Sequence, residues 1–226
     1  GRHRPMSAAE PSVNDLSPIV HTGVEKEPML LLDTSGSMSW PAADGSSLAR
    51  RAVIGEALGR IVEVLGAEDS QAEAEAAAGE DEGGLMTVLF SDHAECIDDL
   101  SPANWRRKWD AIAWGGGTQI MPGWSLLVDT FLEEFGERPK QDRPALLALV
   151  VTDGEASDAD AFATEIAKLK GTTYVCVAVL GFGADHDATL ASYQKIEEAN
   201  SHVRVVTFGG QTDPTQIADD LLKLLV

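Results

Sequence analysis

The stretch LLLDTSGSMS, residues 30–39, joins an apolar run to an aspartate and a series of hydroxyl side chains. The apolar run predicts a buried strand that ends at Asp33, so that Ser35 and Ser37 follow in a tight loop at its carboxyl end. Such a loop suits four roles: a helix cap, a phosphate-binding loop, a phosphotransferase nucleophile, or the ligand shell of a hard cation. The remainder of the sequence has to distinguish among them.

Length and charge narrow the possible partners. The 226 residues are enough for one domain with a full hydrophobic core, and 44% hydrophobic with 24% charged residues is typical of globular proteins. The formal net charge is −20, from 37 acidic and 17 basic residues. A field of this sign repels nucleic acids and anionic membranes, so basic protein surfaces and divalent cations are the expected counterparts.

Apolar runs alternate with segments of helical periodicity along most of the chain. This alternation predicts a doubly wound α/β domain with a mostly parallel sheet, to which the closely spaced pair at 85–97 adds an antiparallel edge. The predicted strands are 29–33, 85–91, 93–97, 145–152, 173–181 and 203–208. The predicted helices lie around 54–65, from Pro122 to Gly136, from Ser157 or Asp158 to Gly171, over 187–200, and from Asp213-Pro214 onward.

Composition also suggests domain boundaries and a compartment. Residues 1–27 are polar and Pro-rich and are interpreted as a tail, residues 28–226 as the domain, and the acidic segment 66–84 as a flexible insert or a docking segment for a basic partner. Cys96 and Cys176 both fall in predicted strands, and two buried thiols favour a reducing compartment. With no apolar run of membrane length and no secretion signal, we expect a cytoplasmic domain of bacterial type.

Three loops rich in oxygen-bearing side chains follow predicted strands or the helices beside them: Asp33 to Ser37, GGGT at 115–118, and DGE at 153–155. Ligands of open α/β sheets bind outside the carboxyl ends of the strands. Hydroxyl and carboxylate oxygens suit Mg²⁺, and the absence of His and Cys from these loops argues against zinc. The candidate metal ligands are Asp33, Ser35, Ser37, Thr118 and Asp153.

Together the three loops resemble the metal-ion-dependent adhesion site (MIDAS) of von Willebrand factor type A (VWA) domains. The resemblance covers residues 27–226 and extends to the VLFSDHAECI hairpin. It implies a six-stranded sheet with one antiparallel edge strand, helices on both faces, and Mg²⁺ or Mn²⁺ held by the five residues. It also implies that an acidic side chain of a partner completes the metal shell. The lengthened SWPAADGSS segment and the acidic insert depart from the family pattern.

The enzymatic alternatives lack essential groups. A haloacid-dehalogenase-like phosphatase needs a second acid two residues after its aspartate, where this chain has Ser35. A serine hydrolase needs a histidine near its nucleophile, and no motif links any histidine to Ser35 or Ser37. A phosphate-binding loop of the Walker type would carry a lysine. We therefore expect a binding module with no catalytic residue, with a Mg²⁺-dependent phosphohydrolase as the disfavoured alternative.

The charge of the site indicates the kind of partner. Two carboxylates offset a divalent cation, which leaves it able to accept an anionic ligand. Because the protein is strongly negative, we expect a partner that presents Glu or Asp among Lys and Arg, and an ATPase of the AAA+ or chelatase type is one alternative. Trp40, Trp114 and Trp124 are candidates for an aromatic rim around the site, with burial in the core as the alternative.

Overall fold

The computed structural model describes residues 19–20, 23–75, 84–182 and 184–225, which contain one six-stranded sheet. Its strand order is β3-β2-β1-β4-β5-β6, and only β3 runs antiparallel to its neighbour. The predicted doubly wound sheet with one antiparallel edge strand is therefore confirmed. The strands are β1 (Lys26–Asp33), β2 (Leu85–Phe90), β3 (Ala94–Leu100), β4 (Ala145–Thr152), β5 (Thr173–Val179) and β6 (Val203–Thr207).

Helices cover both faces of the sheet. They are α1 (Arg50–Glu75), α2 (Trp105–Ala111), α3 (Ile120–Phe135), α4 (Ala159–Ile166), α5 (Ala184–Ala199) and α6 (Pro214–Leu225). Within the described ranges, no helix combines the length and the apolar character that a membrane crossing requires.

Alternation along the central strands divides the interior into two cores. In β1, Leu30 and Leu32 face a core shared with α1, α2 and α6, while Met29 and Leu31 face a core shared with α3, α4 and α5. All eight residues of β4 are buried, because this strand has a helical layer on each side. The continuous apolar run in the sequence of β4 follows from this double coverage.

Three sequence predictions need correction. Strand β1 begins at Lys26, two residues before the predicted domain boundary, and Ile19 and Val20 of the predicted tail are buried in the core. Helix α1 continues to Glu75, so residues 66–75 of the predicted flexible insert are helical, as alanine and glutamate favour. Residues 76–83 of that insert lie outside the described part of the chain. Cys96 is exposed because it lies on the edge strand, whereas Cys176 is buried.

Two glycines of α1 allow α2 to pack closely against it. A Cβ atom at Gly59 would lie 2.2 Å from Cζ2 of Trp105, and one at Gly55 would lie 2.6 Å from Cε2 of Trp109. Both tryptophans are buried, as their four-residue spacing in the sequence indicates. The indole rings therefore occupy space that any larger residue at these two positions would need.

Replacing Gly59 by Ala tests this packing. Alanine favours a helix over glycine by about 0.5–1 kcal/mol, but overpacking a rigid contact costs about 1–3 kcal/mol. We therefore expect the Gly59→Ala variant to lose about 1–2 kcal/mol of unfolding free energy, measured by urea denaturation. In a Trp105→Leu background the ring is absent and the same substitution should be neutral or stabilising; an equal loss in both backgrounds would rule out the contact as its cause.

Candidate metal centre

The candidate site lies where the strand order of the sheet reverses. Strands β1 and β4 are adjacent and parallel, and each connects onward to a different half of the sheet. Asp33 is the last residue of β1, and Asp153 directly follows β4. The two carboxylates predicted to share a site therefore lie at the carboxyl ends of neighbouring strands, in the position where open α/β sheets bind ligands.

The first loop holds its polar side chains in a fixed arrangement. Asp33 Oδ1 accepts a hydrogen bond from the Ser35 amide, and Asp33 Oδ2 accepts one from the Thr152 hydroxyl, both at 2.9 Å. A turn of 3₁₀ helix over Gly36–Ser39 then brings the Ser35 and Ser37 hydroxyl oxygens within 3.1 Å of each other. Two hydroxyls separated by one residue therefore point to a single place.

Backbone hydrogen bonds join the second loop to the first loop, and Ser157, which follows the third loop, to the second. The Gly115 amide donates to Thr34 O at 2.9 Å, and the Gly36 amide donates to Gly116 O at 3.3 Å. Thr118 O accepts from the amide of Ser157 at 2.9 Å and from its hydroxyl at 3.0 Å. Thr118 thus belongs to a loop held between the segments that carry the other four candidate ligands.

The two carboxylates of the site are buried close together. Asp33 and Asp153 are each no more than 1% exposed. Burial, followed by repulsion from Asp153, raises the pKa of Asp33 from 3.8 to about 6, although hydrogen bonds from Ser35 and Thr152 oppose the shift. An additional positive charge near these two groups would stabilise their ionised forms.

Part of that charge comes from a residue that the sequence did not reveal as part of the site. Arg50, the first residue of α1, donates from Nη1 to Asp153 Oδ2 at 2.7 Å, and the two side chains are only 6% and 0% exposed. A cation in the first turn of a helix opposes the helix dipole, which is the one signal in the sequence that Arg50 has another role. The charge balance predicted from Asp33 and Asp153 alone is therefore wrong.

Two further carboxylates, neither of them predicted to belong to the site, hold the GGGT loop and the start of α3. Asp92 Oδ1 accepts from the Gly117 amide at 2.7 Å, and a Cβ at Gly116, where φ is +81°, would lie 2.5 Å from Asp92 Oδ2. Asp158 accepts from the Ile120 and Met121 amides at 2.8 and 2.9 Å. The sequence predicts that α4 starts at Ser157 or Asp158; Asp158 does directly precede α4, but its side chain caps the start of α3. The glycine run is needed because the loop packs directly on a carboxylate.

The three candidate rim tryptophans differ in exposure. Trp40 is 53% exposed, and the guanidinium of Arg50 lies 5.7 Å from its ring centroid. Trp114 is half-buried and packs against Trp109, with ring centroids 5.1 Å apart. Trp124 is only 5% exposed and contacts Phe162 edge-on in the core, so the prediction of Trp124 as a rim residue is wrong. Its position on the inner face of α3 accounts for the burial.

Comparison with known proteins finds similarity in structure but not in sequence. No protein-family model matches this sequence, and no curated protein is similar to it in sequence. Solved structures do match. The SpRpn10 VWA domain aligns with a TM-score of 0.58 at 11% identity, covering 88% of this chain and 94% of that one. A von Willebrand factor type A protein from Catenulispora acidiphila aligns with a TM-score of 0.56 at 16% identity, covering 88% and 42%.

The chain has the VWA fold.

A third match is the manganese-loaded TRAP protein of Plasmodium vivax, with a TM-score of 0.53 at 14% identity, covering 87% of this chain and 72% of that one. At such identities the similarity concerns the fold alone. This chain spans 42% of the length of the Catenulispora protein, which therefore extends beyond the aligned region.

The oxygen atoms of this VWA fold fit a hard cation. Neighbouring ligands of an octahedral Mg²⁺ with bonds of about 2.0–2.1 Å lie about 3 Å apart, and the Ser35 and Ser37 oxygens are 3.1 Å apart. Asp33 and Asp153 supply the negative charge, and Thr118 lies in the adjoining loop. No group of three or more His, Cys, Asp or Glu side chains suited to a metal occurs in the described residues, so this donor set depends on its hydroxyls.

Proposed function

We propose that this domain is a metal-dependent protein-binding module. Asp33, Ser35, Ser37, Thr118 and Asp153 would hold Mg²⁺ or Mn²⁺, directly or through water, and the bound ion would accept a carboxylate from a partner protein. The observation that carries this proposal is the joining of three separate loops around two buried carboxylates and a pair of hydroxyls 3.1 Å apart. The manganese in a protein of the same fold supports it.

The proposal assigns binding rather than catalysis to the site. Ser35 occupies the place where a phosphatase of this general architecture would need an acid, and a serine hydroxyl is too weak an acid and base to act as the general acid–base at neutral pH. The partner's Glu or Asp should lie among basic residues, because the net charge of −20 repels an acidic surface. Trp40, exposed beside the site, is the aromatic residue best placed to contact that partner.

Thr118 provides the most specific test of the metal ligand set. Replacing Thr118 by Ala removes a neutral oxygen without changing the net charge, and we expect Mn²⁺ binding, measured by electron paramagnetic resonance, to weaken about tenfold. Thr130→Ala is the matched control, since the Thr130 hydroxyl bonds to Leu126 O within α3. Equal Mn²⁺ affinity in the two variants would remove Thr118 from the ligand set.

Binding of the partner group can be tested without knowing the partner. Acetate should show enhanced proton relaxation in the presence of the Mn²⁺-loaded protein, and the enhancement should disappear with chelator. A peptide carrying Glu between lysines should bind more tightly than one carrying Gln at that position. Binding of both peptides with equal affinity would contradict recognition of a carboxylate.

A further inference from the structure

The buried ion pair between Arg50 and Asp153 places a permanent positive charge inside the candidate metal site. The guanidinium Nη1 lies 2.7 Å from Asp153 Oδ2, while the other carboxylate oxygen, Oδ1, accepts only a 3.3 Å hydrogen bond from the Glu155 amide. Asp153 is one of the two acidic residues on which the proposed metal site depends. Its carboxylate is thus already paired with a cation before any metal binds.

The surroundings of Arg50 hold the side chain at this position. Its backbone amide donates to Trp40 O at 2.9 Å, and the Trp40 ring lies over the guanidinium. On the other side, a Cβ at Gly181 would lie 2.9 Å from Arg50 Nη2, so the glycine there leaves room for the guanidinium. Arg50 Nε is buried without a hydrogen-bond partner among the described groups. Since the guanidinium is held here without full hydrogen bonding, we infer that its charge next to Asp153, rather than its hydrogen-bonding capacity, is its contribution to the site.

We propose that Arg50 acts as a built-in competitor of the metal and as a determinant of anion selectivity at this site. The inference rests on the proposed metal-binding function. Because the guanidinium and the divalent ion would share the Asp153 carboxylate, each lowers the affinity of the site for the other. With Asp33 and Asp153 ionised, the two carboxylates, a divalent ion and Arg50 sum to a net charge of +1, whereas the two carboxylates and the ion without Arg50 would sum to zero. That excess charge favours an anionic partner group over a neutral one.

The first consequence concerns metal affinity. Arg50→Gln removes the charge but keeps a hydrogen-bond donor toward Asp153, and we expect it to bind Mn²⁺ at least about tenfold more tightly than the wild type. Arg50→Lys keeps the charge and should stay within about threefold of the wild type. Arg60→Gln is the matched control, because Arg60 lies on the same helix, is about half exposed, and carries the same charge.

The second consequence concerns selectivity. In the Mn²⁺-loaded Arg50→Gln variant, we expect acetate to bind about threefold or more weakly than in the loaded wild type, while the binding of neutral acetamide is unchanged. This opposite movement of metal affinity and anion affinity distinguishes competition at Asp153 from a general disturbance of the site. Such a disturbance would lower both affinities together.

The experiment is a Mn²⁺ titration of the four proteins followed by electron paramagnetic resonance, with acetate and acetamide relaxation measured on the loaded forms. Mn²⁺ affinity of Arg50→Gln within about twofold of the wild type, or unchanged acetate affinity, would overturn the inference while leaving the metal site intact. Absence of Mn²⁺ binding in both the wild type and Arg50→Gln would overturn the proposed function itself, and this inference with it.

Folding of the variant is part of the test. If Arg50→Gln folds only when Mn²⁺ is added, as seen by circular dichroism, the metal is replacing the lost charge at Asp153 and the inference is supported. If it stays unfolded at every Mn²⁺ concentration while Arg50→Lys folds, the metal cannot substitute for the arginine and the inference is overturned.

Discussion

Replacing Asp33 by Asn is expected to weaken Mn²⁺ binding on the order of 100-fold or more. The substitution removes one of two buried charges next to the ion, and a unit charge at contact distance is worth several kcal/mol even at an effective dielectric constant of about 20. The side chain keeps its shape, so Oδ1 can still accept from the Ser35 amide. Isothermal titration calorimetry or electron paramagnetic resonance would measure the loss.

The same substitution should stabilise the metal-free protein at neutral pH. The pKa of Asp33 is about 6 in the folded state, compared with 3.8 as the reference value. Because the folded state binds the proton more tightly, the contribution of Asp33 to stability is full below pH 4 and falls as the pH rises toward 6. In the presence of chelator, we expect the unfolding free energy of Asp33→Asn to exceed that of the wild type by up to about 3 kcal/mol at pH 7. Near pH 4 the two unfolding free energies should match.

A surface substitution of the same charge type controls for the acidity of the whole protein. Asp129 is exposed on α3, so Asp129→Asn lowers the net negative charge equally without touching the site. It should leave both the Mn²⁺ affinity and the difference in stability between pH 4 and pH 7 unchanged. If Asp33→Asn behaved like Asp129→Asn in the metal titration, Asp33 would not be a ligand.

Breaking the Arg50–Asp153 pair should have the largest effect on stability. Arg50→Met leaves a buried carboxylate without its partner, and we expect the metal-free protein to lose about 3–5 kcal/mol of unfolding free energy. The double variant Arg50→Met/Asp153→Asn removes both charges and should recover most of that loss, because an uncharged pair needs no compensation. Chemical denaturation in chelator measures each term of this double-mutant cycle.

An exposed ion pair provides the comparison for that cycle. Arg106 and Glu56 form an ion pair with 2.8 Å between Nη1 and Oε1, but each side chain is more than half exposed, so breaking this pair should destabilise the protein far less than breaking the buried one. The buried pair would not carry the stability assigned to it if Arg50→Met lowered the unfolding free energy as little as Arg106→Met does. The same conclusion would follow if adding Asp153→Asn failed to restore the unfolding free energy lost in Arg50→Met.

The sequence alone predicted the architecture and the edge of the sheet at which the candidate site lies. The apolar runs of β1 and β4 marked strands that are covered on both faces, and the residues directly after such strands meet at one edge of the sheet. Local patterns therefore located Asp33 and Asp153 together. The structure also joins the GGGT loop to them through backbone hydrogen bonds.

The parts of the site that the sequence did not predict depend on contacts between residues far apart in sequence. Arg50 and Asp153 are separated by 103 residues, and Asp158 and Ile120 by 38, so neither pairing leaves a periodic or spacing signal. Burial of Trp124 could be anticipated only from which face of α3 meets the sheet. Residues 66–75 combine low complexity, which favours a loop, with alanine and glutamate, which favour a helix, and in the structure they are helical.

The position of the Trp40 ring over the Arg50 guanidinium, 5.7 Å from the ring centroid, gives the protein an intrinsic optical reporter. All five tryptophans lie in the described part of the chain, and only Trp40 is exposed; Trp105, Trp109 and Trp124 are buried and Trp114 is half-buried. Iodide or acrylamide will therefore quench the emission of Trp40 selectively, and its spectrum will respond to the charge beneath the ring. Occupancy of the site can be followed by fluorescence on the unlabelled chain.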